Sequence, residues 1–369
     1  MYVLLDCRMA GWSGIGRYTT GLARALAARE DIGLVQVCAP GETPPAPAGA
    51  AGRIVTAAAH PFSVLGAVEL GRMVHRMKPD VVHCPHFPTP LPSRGALVVT
   101  LHDLIPLVVP GVMPSALRRA VYRPCNARAV RIADRLVVPS RATAADVQRL
   151  FPVARGKLVV TAEAADDFSV GPIEPLTGEL AHLASRPYLL SMGNIRPHKG
   201  LPTLLRAFAR VADTEPGLRL LLAGAEVPGY LDAEFAGGSQ ELRARVAFTG
   251  PLRQPALKAV YAGAVAFVCP SQYEGFGLPV LEAMTLGVPV VCADAASLPE
   301  VVGDAALMFP SGDTEALVKS LSRVLHDSGL REGLSRAGLE RAAGFTWELT
   351  AAATVAAYEE AVTCSRPPC

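Results

Sequence analysis

One pattern limits what this chain can become. Short apolar runs, each closed by a glycine-rich or polar turn and followed by a helical stretch, recur along its length. The first unit is the strand from Tyr2 to Asp6, the turn MAGWSGIGR and a helical pattern from Tyr18 to Arg29. Strand, turn and helix in that order build a parallel α/β sheet. Further strands are expected at VQVCAP, VVHCP, LVVTLHD, RLVVPS and KLVVT, with helices from Val64 to Met77 and Ala116 to Ile132 between them. The period is lost through FSVGPIEPLTGELAHLASRP, then restarts with YLLSMGN at Tyr188, LRLLLAG, VAFTG, VAFVCPS and VPVVCAD.

A chain of 369 residues exceeds one ordinary core, and two domains of roughly 170–190 residues follow. The expected division is a first domain over 1–170, a linker over 171–187, a second domain over 188–345, and a terminal helix and tail over 346–369, the helix packing back on the first domain. Half of the residues are hydrophobic and 18% are charged, enough apolar material for two buried sheets. Two doubly wound halves leave a cleft between them, and such sheets take ligands at the carboxyl ends of their strands. A net charge of +2 argues against a dedicated nucleic-acid binder.

The cysteines fall mostly in strand-like runs, as buried free thiols do, and none forms a Cys-x-x-Cys pair. Cys364 and Cys369 sit in the tail CSRPPC, as a pair or as part of a frayed end. The N-terminus lacks the pattern of a signal peptide, and no apolar run approaches the ~20 residues of a membrane span. A cytoplasmic protein is expected, with a peripheral contact at the inner face of the membrane as a further expectation. Arg118, Arg119, Arg123, Arg128, Arg131 and Arg135 suit an anionic lipid surface or simply a solvated face. Pro124 is expected to split that stretch into two helical pieces.

The stretch YEGFGLPVLEAMTLGVPVV, Tyr273 to Val291, carries the strongest chemical signal. Glu274 falls in a loop at a strand's carboxyl end, where Gly275 and Gly277 let backbone approach a ligand closely. Pro279 suits a helix's first turn, so N–H groups and the helix dipole face that loop. Glu282, about one turn in, is placed to accept two hydrogen bonds from a diol, or merely to complement the dipole. In GNIRPHKG, Arg196 and Lys199 are paired cations suited to a diphosphate leaving group. GWSGIGR is a poor dinucleotide motif, with Thr19 in the place of a third glycine, but a fair phosphate cradle. In LHDLIP, His102 and Asp103 directly follow a strand; a structural hydrogen bond is the plain alternative. His83, His86 and His198 lie near expected loops and read as solvated side chains rather than ligands. No Asp-x-Asp motif or metal-spaced cluster is evident.

Together the Glu-x7-Glu of EGFGLPVLE, the GNIRPHKG cations, the GIGR loop and the HD pair resemble the family 4 glycosyltransferases. These are retaining enzymes of the GT-B fold, with two Rossmann-like doubly wound domains facing each other across a cleft. The resemblance implies that Glu282 holds ribose and that Glu274, with Gly275, Phe276, Gly277 and Leu278, holds the donor sugar. It gives Arg196 and Lys199 the departing diphosphate, supported by Gly14, Gly16, Gly193 and Asn194. Phe248, Thr249, Gly250 and Leu252, in FTGPL, match the base-reading segment. His102 takes the place beside the anomeric centre, with Asp103 orienting it or binding acceptor.

The arginine lies three residues before Lys199, unlike its place in many relatives, so the role falls on Arg196. No metal is implied. The opening DCRMAGWSGIGRYT and LHDLIP look most like mannosyl- and rhamnosyltransferases of polysaccharide and O-antigen assembly. GDP-mannose is therefore the expected donor, and a glycan or lipid-linked glycan the acceptor. The rival readings are a GT-B epimerase or phosphorylase, a non-catalytic nucleotide-sugar-binding protein, and a dinucleotide oxidoreductase.

Overall fold

The computed structural model describes residues 1–47, 52–91, 95–113, 115–236 and 239–365. The chain folds as two compact units, Met1–Ala164 together with Phe345–Cys369, and Ala165–Gly344.

Among the described residues the first unit holds seven parallel strands: β1 (Tyr2–Asp6), β2 (Gly33–Cys38), β3 (Arg53–Thr56), β4 (Val81–Cys84), β5 (Ala96–Thr100), β6 (Arg135–Val138) and β7 (Leu158–Val160). Their order is β3-β2-β1-β4-β5-β6-β7, so the direction of winding reverses between β1 and β4. Central strands such as Val81–Cys84 and Ala96–Thr100 are buried along their whole length, as expected for a sheet covered on both faces. One face packs Val3, Leu5, Val81 and Val98 against the helix Ser13–Ala27 and the final helix Trp347–Ser365. On the other, Leu4, Val82, Leu97 and Val99 meet Leu70, Val74, Ala129 and Val130.

The final helix belongs to the first unit although 186 residues separate it from β7. Trp347 lies so close to Gly21 that a Cβ there would meet its ring at 2.1 Å. The basic stretch is one helix, Ala116–Ile132, rather than two pieces. Pro124 is tolerated because it and Ala120, whose carbonyl loses its helical partner, are both on the exposed face. Arg118, Arg123 and Arg131 are exposed and Arg128 is half-buried; the Arg119 side chain and Cys369 lie outside the described residues.

The second unit holds β8 (Tyr188–Met192), β9 (Arg219–Ala223), β10 (Val246–Phe248), β11 (Ala266–Cys269), β12 (Val290–Asp294) and β13 (Leu307–Pro310), in the order β10-β9-β8-β11-β12-β13, all parallel. Here the reversal lies between β8 and β11. The stretch read as a linker, 171–187, lies inside this unit and contains a short helix, Gly178–Leu183. Among the described residues no helix is long and apolar enough to cross a membrane.

Candidate functional site

In the second unit the loops after β8 and β11 leave neighbouring strands at the reversal point, the place where open α/β sheets take ligands. Gly200 closes the first loop at φ +65°, and a Cβ there would meet the Pro270 carbonyl oxygen at 2.1 Å. Only glycine permits that approach. The Gln272 N–H donates to the His198 carbonyl at 2.7 Å, tying the two loops together. Lys199 Nζ then donates to both carboxylate oxygens of Glu274, at 2.7 and 2.9 Å. The lysine thereby compensates the carboxylate's charge. Arg196 stands exposed on the same turn, where its carbonyl accepts the Lys199 N–H at 2.9 Å.

Ser297 supports the Glu274 loop from beneath. Its fully buried Oγ lies 2.9 Å from the Glu274 carbonyl and 2.7 Å from that of Phe276, and its single proton is shared between them. Gly277, at φ +115°, precedes the helix Leu278–Thr285, which has Pro279 in its first turn and no side-chain cap from that residue. Glu282 is only 8% exposed, and the Tyr261 hydroxyl lies 3.3 Å from its Oε2. It is therefore a buried, bonded carboxylate rather than a solvated acid at a helix start. Gly193 lies against Phe248, whose ring a Cβ would meet at 2.8 Å. Thr249 Oγ1 donates to the Gly250 carbonyl at 2.8 Å and accepts the Gly224 N–H at 3.3 Å. Leu252 is half-buried and Asn194 exposed, beyond these contacts.

His198, expected to be solvated, is 3% exposed. Burial pushes its imidazole down to about 4, with Lys199 adding to the shift, Glu274 opposing it and Arg196 adding again. Its side chain faces inward because the short 3-10 turn Pro197–Lys199 sends the lysine outward toward Glu274.

In the first unit, His102 follows β5 and its Nδ1 lies 2.7 Å from Glu163 Oε1, while Nε2 lies 3.0 Å from the Pro85 carbonyl. The carboxylate that orients the ring is thus Glu163 and not the adjacent Asp103. Asp103 instead accepts the Ile105 N–H at 2.9 Å, turning the chain into the next helix. The Tyr18 ring meets His102 edge-on, 4.7 Å between centroids. Tyr18 also joins a buried chain: its hydroxyl lies 3.0 Å from Thr100 Oγ1, which lies 2.8 Å from His83 Nε2, and His83 Nδ1 lies 2.6 Å from the Tyr358 hydroxyl. His83 is therefore a core residue, not a solvated one, and burial pushes its pKa down to about 3. His86 is half-buried and its pKa is likewise lowered to about 3, chiefly by burial. Gly16 is required where the first helix starts, since a Cβ would meet the Ala10 carbonyl oxygen at 2.3 Å; Gly14 is exposed in open space.

Glu163 and Ser297 were not singled out in the sequence. Glu163 stands in TAEAADD behind a strand, and an acid at a strand's carboxyl end was the one available signal. Ser297, in DAASLPE, carried none beyond its place after β12.

Two family descriptions match the chain: Glycosyltransferase Family 4 over residues 12–166 and Glycosyl transferases group 1 over residues 175–341. O-antigen chain mannosyltransferase B of Escherichia coli is 29% identical over 290 residues, covering 76% of this chain and 74% of that protein. D-inositol 3-phosphate glycosyltransferase of Kribbella flavida is 31% identical over 244 residues, covering 63% of this chain and 58% of that protein. Sucrose-phosphate synthase from Thermosynechococcus elongatus shares the fold at a TM-score of 0.77 and 20% identity, covering 97% of this chain and 98% of that one. With two Rossmann-like units and both halves matched, the chain has the GT-B architecture and belongs to the family 4 glycosyltransferases, enzymes of the hexosyltransferase class.

Proposed function

We propose that this protein transfers a hexose from a nucleoside-diphosphate sugar to a hydroxyl of a glycan or lipid-linked glycan, with retention at the anomeric carbon and without a metal. The Lys199–Glu274 pair at the reversal point of the second sheet carries this reading. In this reading Lys199 and Arg196 neutralise the charge that grows on the departing diphosphate. Lys199 is already held beside Glu274, so the carboxylate both restrains the cation and takes hydroxyls of the donor sugar. Glu282 takes the ribose, and the segment Phe248 to Leu252 takes the base. The departing phosphate accepts the acceptor's proton, so no protein nucleophile is needed.

His102 is assigned to the sugar. Its ring is already fixed by Glu163, and a sugar hydroxyl reaching Nε2 would replace the Pro85 carbonyl. Mannose from GDP-mannose is the proposed donor group, supported by the likeness to the O-antigen mannosyltransferase. A cytoplasmic enzyme working at the inner membrane face, with Arg118, Arg123, Arg128 and Arg131 toward anionic lipid, fits such an acceptor.

Calorimetric titration with GDP, UDP, dTDP and ADP in EDTA tests the donor site. Selective binding of GDP under chelation is expected. Preference for another base would remove GDP-mannose, and binding that appears only with a divalent cation would remove metal independence. No binding to any diphosphate would overturn the reading.

A further inference from the structure

At the start of the helix Val64–Met77, Val64 and Leu65 are each 73% exposed. Phe62, just before them, is 41% exposed and stacks on Trp12, with centroids 5.6 Å apart and planes at 24°. Leu91, 43% exposed, joins the same surface by donating its N–H to the Ala67 carbonyl at 2.8 Å. A contiguous apolar patch of this kind usually has a use. Phe62, Val64 and Leu91 also line a cavity of about 220 Å³, whose walls include Phe87, Cys125 and Arg128. It lies beyond the carboxyl ends of β3 and β4, on the sheet edge from which His102 also emerges after β5.

The chemistry of the walls selects the guest. The Ser63 hydroxyl is already engaged, donating to the His60 carbonyl at 2.7 Å and accepting the Gly66 N–H at 2.9 Å. Thr89 Oγ1 accepts from Arg128, whose guanidinium also reaches the Pro90 carbonyl at 3.0 Å. A sugar ring would therefore find few hydroxyl partners here, whereas hydrocarbon finds aromatic and aliphatic walls. At roughly 30 Å³ for each water-sized group, the space holds about seven of them, a short stretch of chain. Arg128 binds only neutral oxygens among the described residues, so its positive charge at the rim is complementary to a phosphate.

We propose that this cavity seats the first hydrocarbon segment of a phosphate-bearing lipid acceptor, with the acceptor's phosphate on Arg128. The inference rests on the lipid-linked-acceptor reading above and gives it a site in the first unit.

Titration of the full-length protein with decyl phosphate below its micelle concentration, followed by calorimetry, tests it, with decanol and inorganic phosphate as controls. Saturable binding of decyl phosphate is expected, weakened about tenfold or more by Val64→Asp. Arg128→Gln should erase the preference for decyl phosphate over decanol. Absence of saturable binding, equal affinity in Val64→Asp, or inorganic phosphate binding as tightly as decyl phosphate would each overturn the proposal. Sedimentation with phosphatidylglycerol vesicles in the absence of decyl phosphate binding would also overturn it, making the patch a membrane-docking face instead. Circular dichroism and thermal melts of the same samples report that each variant is folded, and nucleoside diphosphate titrations report the second unit separately. Loss of decyl phosphate binding with nucleotide binding intact removes the pocket alone, whereas loss of nucleotide binding in the parent removes the donor reading.

Discussion

Lys199 and Glu274, 75 positions apart, meet as a two-pronged ion pair, with Nζ 2.7 and 2.9 Å from the two carboxylate oxygens. Both side chains are largely shielded, at 19% and 12% exposure, so removing one partner strands the other's charge where solvent compensates it poorly. The pair also means that each residue sets the position of the other before any ligand arrives.

Glu274→Ala should therefore cut sugar transfer by orders of magnitude while leaving nucleoside diphosphate binding intact or tighter, because Lys199 is released toward the phosphates. Lys199→Ala should weaken a nucleoside diphosphate by about tenfold or more, and the bare nucleoside far less. Calorimetry with both ligands separates the two variants. Equal losses of nucleoside and diphosphate in Lys199→Ala would remove the phosphate role, and near-normal turnover in Glu274→Ala would take that residue out of the site.

Glu163 is a positioning residue for His102. Glu163→Ala leaves the imidazole Nδ1 without its carboxylate in a shielded position and should destabilise the first unit by about 1–3 kcal/mol. Transfer should fall further than the stability loss explains, since the ring is then held on one side only, by the Pro85 carbonyl; Glu163→Gln, which keeps an acceptor oxygen, should restore part of the rate. Thermal melts and single-turnover rates for the two variants check this. A rate unchanged in Glu163→Ala would show that the pair serves only the fold.

Ser297 bridges two carbonyls of the Glu274 loop. Ser297→Ala should cost about 1–3 kcal/mol by leaving buried carbonyl groups without their donor. Because the loop loses its support, the donor should bind more weakly, and the nucleoside diphosphate, assigned above to Lys199 and Arg196, should be less affected. Comparing the affinities for an intact nucleotide sugar and its diphosphate tests this; parallel losses would place Ser297 in the fold alone.

His198 makes stability depend on pH. Its folded pKa of about 4 lies below the ordinary value of 6.5, so between those values the unfolded chain binds more protons. Stability is complete above 6.5, falls as pH drops through the window and levels off below about 4; the full loss is roughly 3 kcal/mol. His83 and His86 shift in the same direction. The His198 part is therefore read as the difference between parent and His198→Gln, by urea unfolding at pH 7.5 and pH 5. Identical pH slopes in the two proteins would refute it.

Much of this molecule was legible along the chain because its signals are local. A run such as VVHC between turns forms a buried strand wherever it falls, and the alternation of strands with helices leads to parallel sheets. The reversal-point loops were legible too, since GNIRPHKG and YEGFGLPVLE carry their glycines, cations and acids within a few residues. What local pattern could not decide was partnership across the fold. Asp103 stands next to His102 in sequence, yet its carboxylate turns to the Ile105 N–H, and the ring goes to Glu163, 61 positions away. His83 reads as polar at a strand's end but is buried between Thr100 and Tyr358 from the distant final helix. Lys199 and Glu274 read as separate contributors to one ligand; strand order makes them partners first. Residue chemistry and local period are properties of the sequence, whereas the pairing of side chains depends on which strands become neighbours, and only the tertiary structure decides that.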